Sequence, residues 1–340
     1  MHPLFLFVST LRRRARPLPL PLLAAGLLLF GVFGALLLPA AARADSYPSK
    51  PITLVLPFPA GGSFDPIFRA LGHAAAKDLG QPVVLMHKPG AGGVTGTAAL
   101  ATGAEADGYT IAVMHNSVIR QPLIAKTTWD PLKDFSYVIG LASLSTGIAV
   151  AADARWKTLA ELLAEAKAKP GLLSWGNVGA ISANRIMAER LAKSAGVKFN
   201  MIPFKGGSEA FTSLIGGHLD VYGDPGFGAM ATGGKIRLLA TMTEARLPRW
   251  PNVPTLKELG HDFVVQSNIG LVAPRNLPQP ILERLHAAFR KATEDAEYRR
   301  VVNDFDLAPA LLDPAGYKAY AQAQFQREKA MLDEIGFKPE

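Results

Sequence analysis

From residue 51 onward the chain alternates short apolar runs with longer amphipathic ones, each bounded by glycine or proline. Residues 51–56 (PITLVL) read as a strand, and 66–79 read as a helix with apolar positions 67, 68, 71, 74 and 75. Gly80 stands where a helix ends on a left-handed residue. Residues 82–86 predict a second strand, the glycine loop 88–93 precedes an alanine-rich helix over about 94–104, and 109–114 predicts a third strand after the Asp107-Gly108 turn.

The pattern changes near residue 145: the run 137–151 is apolar, lacks a helix cap and is longer than most strands. A helix is predicted over 158–169, stopped by Pro170-Gly171, then a strand at 172–175 and a loop at 176–179. Next come a helix at 182–195, a strand at 199–203, a helix at 208–215 and strands at 220–222 and 236–242. Residues 267–273 re-enter extended structure, and helices begin at Pro280 and Pro314. Strands alternating this closely with helices imply βαβ units and mainly parallel sheets. The expected architecture is α/β with two lobes, the second inserted into the first: 45–145 plus 267–340, and 146–266.

Residues 1–44 do not share the pattern. Arg12, Arg13, Arg14 and Arg16 precede an apolar run over 22–38, and Ala42-Arg43-Ala44 matches a small-x-small cleavage site, the signature of an export signal. The rival reading is an uncleaved anchor, since the run is just long enough to span a bilayer; the Pro39 break and the Ala42/Ala44 pair favour cleavage after Ala44. The whole chain has 36 Lys+Arg against 28 Asp+Glu, but the leader holds five Arg and no acid, so the mature balance is 31 against 28, or +3. That is no footprint for nucleic acid. The absence of Cys removes disulfide scaffolds, thiolate zinc sites and a cysteine nucleophile.

In parallel α/β lobes, ligands sit where strand ends lead into helix N-termini, whose N–H groups and partial positive charge suit anions. Three such corners stand out, 58–65, 176–185 and 204–208, split between the two lobes. A glycine corner by itself is only a tight turn, whereas three point to a shared cleft. Magnitude favours two lobes acting together. An exposed helix N-terminus contributes about 0.3–1 kcal/mol to an anion and a charge-assisted hydrogen bond about 1.5–3 kcal/mol, while micromolar affinity needs about 8 kcal/mol.

The candidate contacts in the first corner are Phe58, Ala60, Gly61, Gly62, Ser63 and Asp65. Asp65 before Pro66 has a structural explanation as an N-cap; its functional reading is selection of a ligand hydroxyl or ammonium. His115 ends a strand at a cleft-like position, with Asn116 and Ser117 after it, and Asp224 ends another. In the second corner the candidates are Asn177, Gly179, Ser182 and Arg185. Arg185 falls in a first turn, where the dipole disfavours a cation. It either pairs with Glu189 on a solvated face or forks onto a ligand carboxylate.

Catalytic and cofactor signatures are missing. There is no Gly-x-Ser-x-Gly elbow and no His-Glu-x-x-His, and the seven His are scattered. The string "GAGGVTG" at 90–96 misses the dinucleotide fingerprint by one residue of spacing, so no cofactor is expected.

The motifs "YPSKPITLVLPFPAGGSFD", "LGQPVVLMHKPGAGGVTGT", "ADGYTI", "WDPLKDF", "IPFKGGSEAFTSLIGGHLD" and "PNVPTLKELG", in this order, resemble the Bug family of periplasmic receptors of tripartite tricarboxylate transporters. The resemblance runs from Tyr47 almost to the C-terminus. It implies a two-lobed, periplasmic-binding-protein-like fold and a small organic carboxylate held by loop amides and ordered waters. It further implies delivery to a membrane permease, no catalysis and a monomer. In the second corner the family tends to read Gly-Ser-x-Gly-x-Gly-Ser-x-x-His. This chain keeps Gly176, Gly179 and Ser182 but has Asn177, Ile181 and Arg185 at the other family positions, consistent with a more anionic ligand. Two other readings remain open: a periplasmic α/β enzyme using His115 or Asp224 as acid/base, and a receptor that reports to a sensor kinase.

Overall fold

The computed structural model describes residues 47–338 apart from Ser63, 179–181 and Gln266, so the expected leader and its cleavage site lie outside the described residues. Strands β1 (Ile52–Leu56), β2 (Val83–His87) and β3 (Thr110–Met114) run parallel with β1 in the middle. Helix α1 (Phe64–Leu79) joins the first two and buries Ile67, Phe68, Leu71, Ala74 and Ala75, the stripe its i, i+3, i+4 spacing predicts. Gly80 stops it at φ +70°. Helix α2 (Thr95–Gly103) leads into β3, and α3 (Asn116–Ile124) follows it. The latter escapes the periodicity because Pro122 interrupts its last turn.

The apolar run 137–151 divides between two sheets. Strand β4 (Phe135–Ser143) belongs to the first and β5 (Gly147–Ala151) to the second. The second sheet gains β6 (Ser174–Val178), β7 (Asn200–Phe204), β8 (Val221–Asp224) and β9 (Ile236–Thr241), in the order β7-β6-β8-β5-β9. Its helices are α4 (Leu159–Ala168), α5 (Ala183–Ala195), α6 (Gly207–Ile215) and α7 (Gly228–Thr232). The chain then returns through β10 (Asn268–Pro274), α8 (Gln279–Ala292), α9 (Ala296–Asp304), β11 (Ala308–Leu312) and α10 (Pro314–Glu334). This closes the first sheet as β11-β4-β10-β3-β1-β2.

Both sheets are mixed in pairing yet mostly parallel in direction. In the first, β1 to β4 run one way while β10 and β11 oppose them; in the second, only β5 opposes its neighbours. The reversed β10 slots between β3 and β4, and its Gly270 is obligatory there. A Cβ would overlap the Ile139 carbonyl oxygen and the Tyr317 ring.

Each lobe has its own core, one around Val55, Met114, Tyr137 and Tyr317, another around Trp175, Leu191 and Leu239. The segments that pass between lobes lie side by side. The Leu144 N–H donates to Ser267 O at 2.8 Å, Met242 N–H to Thr146 O at 2.9 Å and Val265 N–H to Met242 O at 2.8 Å. Helix α10 spans both lobes: Tyr317 packs in the first core and Leu332 in the second. Its Glu328 forms a fully buried ion pair with Arg120 of α3 at 2.8 Å. Gln324 also donates to that carboxylate, and Arg120 donates to Ser117 Oγ at 3.1 Å.

Candidate functional site

A cavity of about 360 Å³ lies between the lobes. The first lobe contributes Phe58, Ala60 and Gly62 from the loop after β1, Phe64 at the start of α1, and His115, Asn116 and Ser117 at the start of α3. The second contributes Ser182, Ala183 and Asn184 at the start of α5, Gly206 to Ser208 at the start of α6, and Asp224 at the end of β8. Four helices therefore direct their first turns at one space, each carrying N–H groups without intrahelical partners and a partial positive charge. The capping residues of α3 and α6, His115 and Gly206, make no side-chain cap hydrogen bond. Across the mouth Ser208 Oγ lies 3.5 Å from the Gly61 carbonyl.

On the first lobe Phe58 stacks on Phe64 with centroids 4.5 Å apart and tilts against the His115 ring at 5.1 Å. His115 is buried, and its Nε2–H donates to the Gly93 carbonyl at 2.9 Å. Burial lowers its pKa to about 4, so the ring is neutral at neutral pH with its proton on Nε2. Gly93, in the string that imitates a dinucleotide loop, has φ +93°, and a Cβ there would come within 2.6 Å of Phe58 and 2.8 Å of His115. That loop packs the aromatic wall.

Asp65 is one residue inside α1 rather than its cap. Its carboxylate pairs with Arg69 at 3.2 Å and His87 Nε2 at 3.0 Å, while His87 Nδ1 contacts the Phe58 carbonyl at 3.1 Å. With these partners it braces the loop from behind, and neither it nor Gly61 lines the cavity. Ser63 and Gly179 lie outside the described residues.

The second lobe corrects the expected loop at 176–179. Strand β6 continues to Val178, so Gly176 and Asn177 are strand residues. Gly176 is there for packing, since a Cβ would sit 2.6 Å from Leu219 Cδ2, and Asn177 is fully buried behind the wall. Arg185 takes the solvated-face alternative: its Nε donates to Glu189 Oε1 at 2.8 Å, and it does not line the cavity. Helical geometry separates adjacent residues by 100°, which turns Asn184 and Met187 to the cleft and Arg185 away. Ser182 caps α5 by accepting from Arg185 N at 3.3 Å. Asn184 Oδ1 accepts from Ser182 Oγ and from Val178 N at 3.3 Å.

Asp224 is half-buried, and Tyr222 donates its hydroxyl to Oδ2 at 2.6 Å. Burial raises the Asp224 pKa to about 7 against the opposing pull of that hydrogen bond. The other charged wall residues, Lys205 and Glu209, are exposed, and no arginine lines the cavity among the described residues. Gly206 to Ser208, in the glycine corner 204–208, line the cavity as well. Nothing in the pattern separates Asn184 from its neighbour Arg185, or points to the crossing residues Leu144, Thr146 and Ser267 that floor the cavity.

The chain is 43% identical over 300 residues to the "UPF0065 protein in gbd 5'region" of Cupriavidus necator, covering 88% of this chain and 91% of that protein. Among solved structures it is similar to the periplasmic binding protein BugD, with TM-score 0.82 and 27% identity over 86% of this chain and all of that one. MatC (Rpa3494) from Rhodopseudomonas palustris with bound malate superposes with TM-score 0.78 and 27% identity, covering 84% of this chain and 100% of the other. Rpa4515 from R. palustris with adipate gives TM-score 0.81 and 25% identity, covering 86% and 100%. A family model described as the tripartite tricarboxylate transporter family receptor matches residues 67–337. With nearly all of the described fold inside that match, the chain belongs to the tripartite tricarboxylate transporter receptor family.

Proposed function

We propose that this protein is an exported, non-catalytic receptor that captures a small organic carboxylate between its lobes and hands it to a cognate membrane permease. The observation that carries the reading is the convergence of four helix N-termini on a cavity whose wall has no buried cation among the described residues. A carboxylate there is held by neutral donors, the amides of the loop after β1 and of the first turns of α3 and α6. Each such charge-assisted bond contributes about 1.5–3 kcal/mol. Neighbouring structures with malate and adipate support the ligand class. The leader pattern at 1–44, with cleavage after Ala44, supports export to the periplasm.

The paired crossing segments are the natural axis for closure. Ligand bound to one lobe alone meets half of the donors, so affinity depends on bringing the 58–62 loop and the start of α6 together. The test is a thermal-shift screen of mono-, di- and tricarboxylates, with recovery of the ligand afterwards. A ligand at 100 times its Kd stabilises by about 2.7 kcal/mol, enough for a shift of a few degrees. Expected are a dose-dependent shift and unchanged ligand. No shift with any carboxylate overturns the carboxylate reading, and a chemically altered ligand overturns the non-catalytic one.

A further inference from the structure

The second-lobe wall holds two polar groups whose needs are opposite. Asn184 is 6% exposed, and both hydrogen bonds it makes to described residues go to Oδ1. Its Nδ2 has no partner among the described residues. Flipping the amide does not cure this, because Nδ2 would then face the Val178 N–H, donor against donor. The Ser182 hydroxyl reinforces the orientation: its oxygen accepts from Arg185 N, and its hydrogen goes to Asn184 Oδ1. A buried amide donor left unmade is costly, and because Asn184 lines the cavity, a slight turn of its side chain presents Nδ2 to what enters.

Asp224 is the complement, an acceptor without a cation. Tyr222 is its hydrogen-bond partner, and no described Lys, Arg or His lies within ion-pair distance. The two residues stand at the ends of adjacent strands, since Asn184 opens the helix after β6 and Asp224 closes β8. These strands pair in parallel, with Gly176 opposite Tyr222. A bare carboxylate would satisfy Asn184 and offend Asp224. Two like charges ~5 Å apart at an effective dielectric of ~20 lose roughly two hundredfold in affinity. A hydroxyl or ammonium beside the carboxylate removes that penalty by donating to Asp224.

Resting on the carboxylate-receptor reading, we infer that the second lobe selects carboxylates bearing a hydroxyl or amino group on the adjacent carbon. Asn184 Nδ2 donates to the ligand's oxygen and Asp224 accepts from its added donor. Both are specificity-determining residues of the cleft.

The test is calorimetric titration of the full chain at pH 8 with two matched trios, propionate, lactate and alanine, and succinate, malate and aspartate. In at least one trio a substituted member is expected to bind tenfold or more tighter than the parent acid. The hydroxy and amino arms distinguish the two donor sources. Asp224→Ala is expected to bring that ratio near one, and Asn184→Ala to weaken parent and substituted acids alike by about tenfold. The wild-type ratio decides the matter should a variant fail to fold. Equal wild-type affinities within a trio that binds overturn the inference and leave the receptor reading standing. A preference that survives Asp224→Ala also overturns it. Affinity for the parent acid is expected to fall as pH rises past about 7 and Asp224 ionises, while that for the substituted acid holds; a preference that shrinks over that rise overturns the inference as well. Failure of every carboxylate, in this panel and in the wider screen, removes both readings.

Discussion

The two jaws of the cleft use the same strand–loop–helix corner and end with different chemistry. The first-lobe jaw offers mainly backbone: a glycine loop held from behind by Asp65, His87 and Arg69, and from the side by the Phe58–Phe64 stack. The second-lobe jaw offers side chains, Asn184 and Asp224, around the Gly206–Gly207 turn. Backbone amides accept any carboxylate and are insensitive to what the ligand carries elsewhere. Side chains at strand ends can change without disturbing the fold. On the proposed reading, the first jaw grips the ligand and the second discriminates between ligands.

Four experiments test that contrast. The largest expected effect is on the anchoring of the first jaw. Glu328→Ala removes the carboxylate that neutralises the buried Arg120 and is expected to cost about 3–5 kcal/mol in urea unfolding. The double change Arg120→Met with Glu328→Leu should recover most of it, and a loss under about 1 kcal/mol for the single variant would detach Ser117 from this anchor. Gly93→Val comes next. Its Cβ collides with Phe58 and His115 at a positive φ, for an expected loss of about 1–3 kcal/mol and of ligand-induced thermal stabilisation. Retained ligand stabilisation would show that the aromatic wall is not part of the grip.

The third experiment contrasts the jaws by pH. His115 has its pKa lowered from 6.5 to about 4, so the unfolded chain takes up its proton first and stability is lost as pH falls through that window. Asp224 has its pKa raised from 3.8 to about 7, so the stability its protonated form contributes is lost as pH rises through that window. His115→Gln should therefore gain on wild type in melts as pH drops from 6.5 to 4, and Asp224→Asn should gain as pH rises from 4 to 7. Parallel pH profiles for the two variants would erase the contrast. The smallest effect is Arg185→Ala. The half-buried i,i+4 pair with Glu189 contributes about 0.3–0.5 kcal/mol, and carboxylate affinity should not change. A tenfold weakening for dicarboxylates would put Arg185 back in the cleft.

Much of this was legible in the residues because one periodicity dominates each element. The stripe at 67, 68, 71, 74 and 75 could face only one way, and Gly80 and Gly196 end their helices as such glycines do. The run 137–151 was not legible as two strands, because a chain crossing between lobes stays apolar through the crossover; Leu144 and Thr146 are as buried as the strands beside them. Asp65 and Arg185 each kept two readings for a shared reason. A charged side chain in a first turn can look inward or sideways, and His87 and Glu189, which decide the direction, are fixed by tertiary and helical neighbours. The same limit hid Asn184, whose importance lies in one unmet amide end.

Helix α10 places Tyr317 in one core and Leu332 in the other, with Arg190 and Lys193 held at Glu334. In genetic terms the codons for this helix therefore form no tolerant stretch. A stop codon or frameshift after Asp313 would strip packing from both halves of the molecule at once. Nonsense alleles there should behave as nulls rather than as mild truncations.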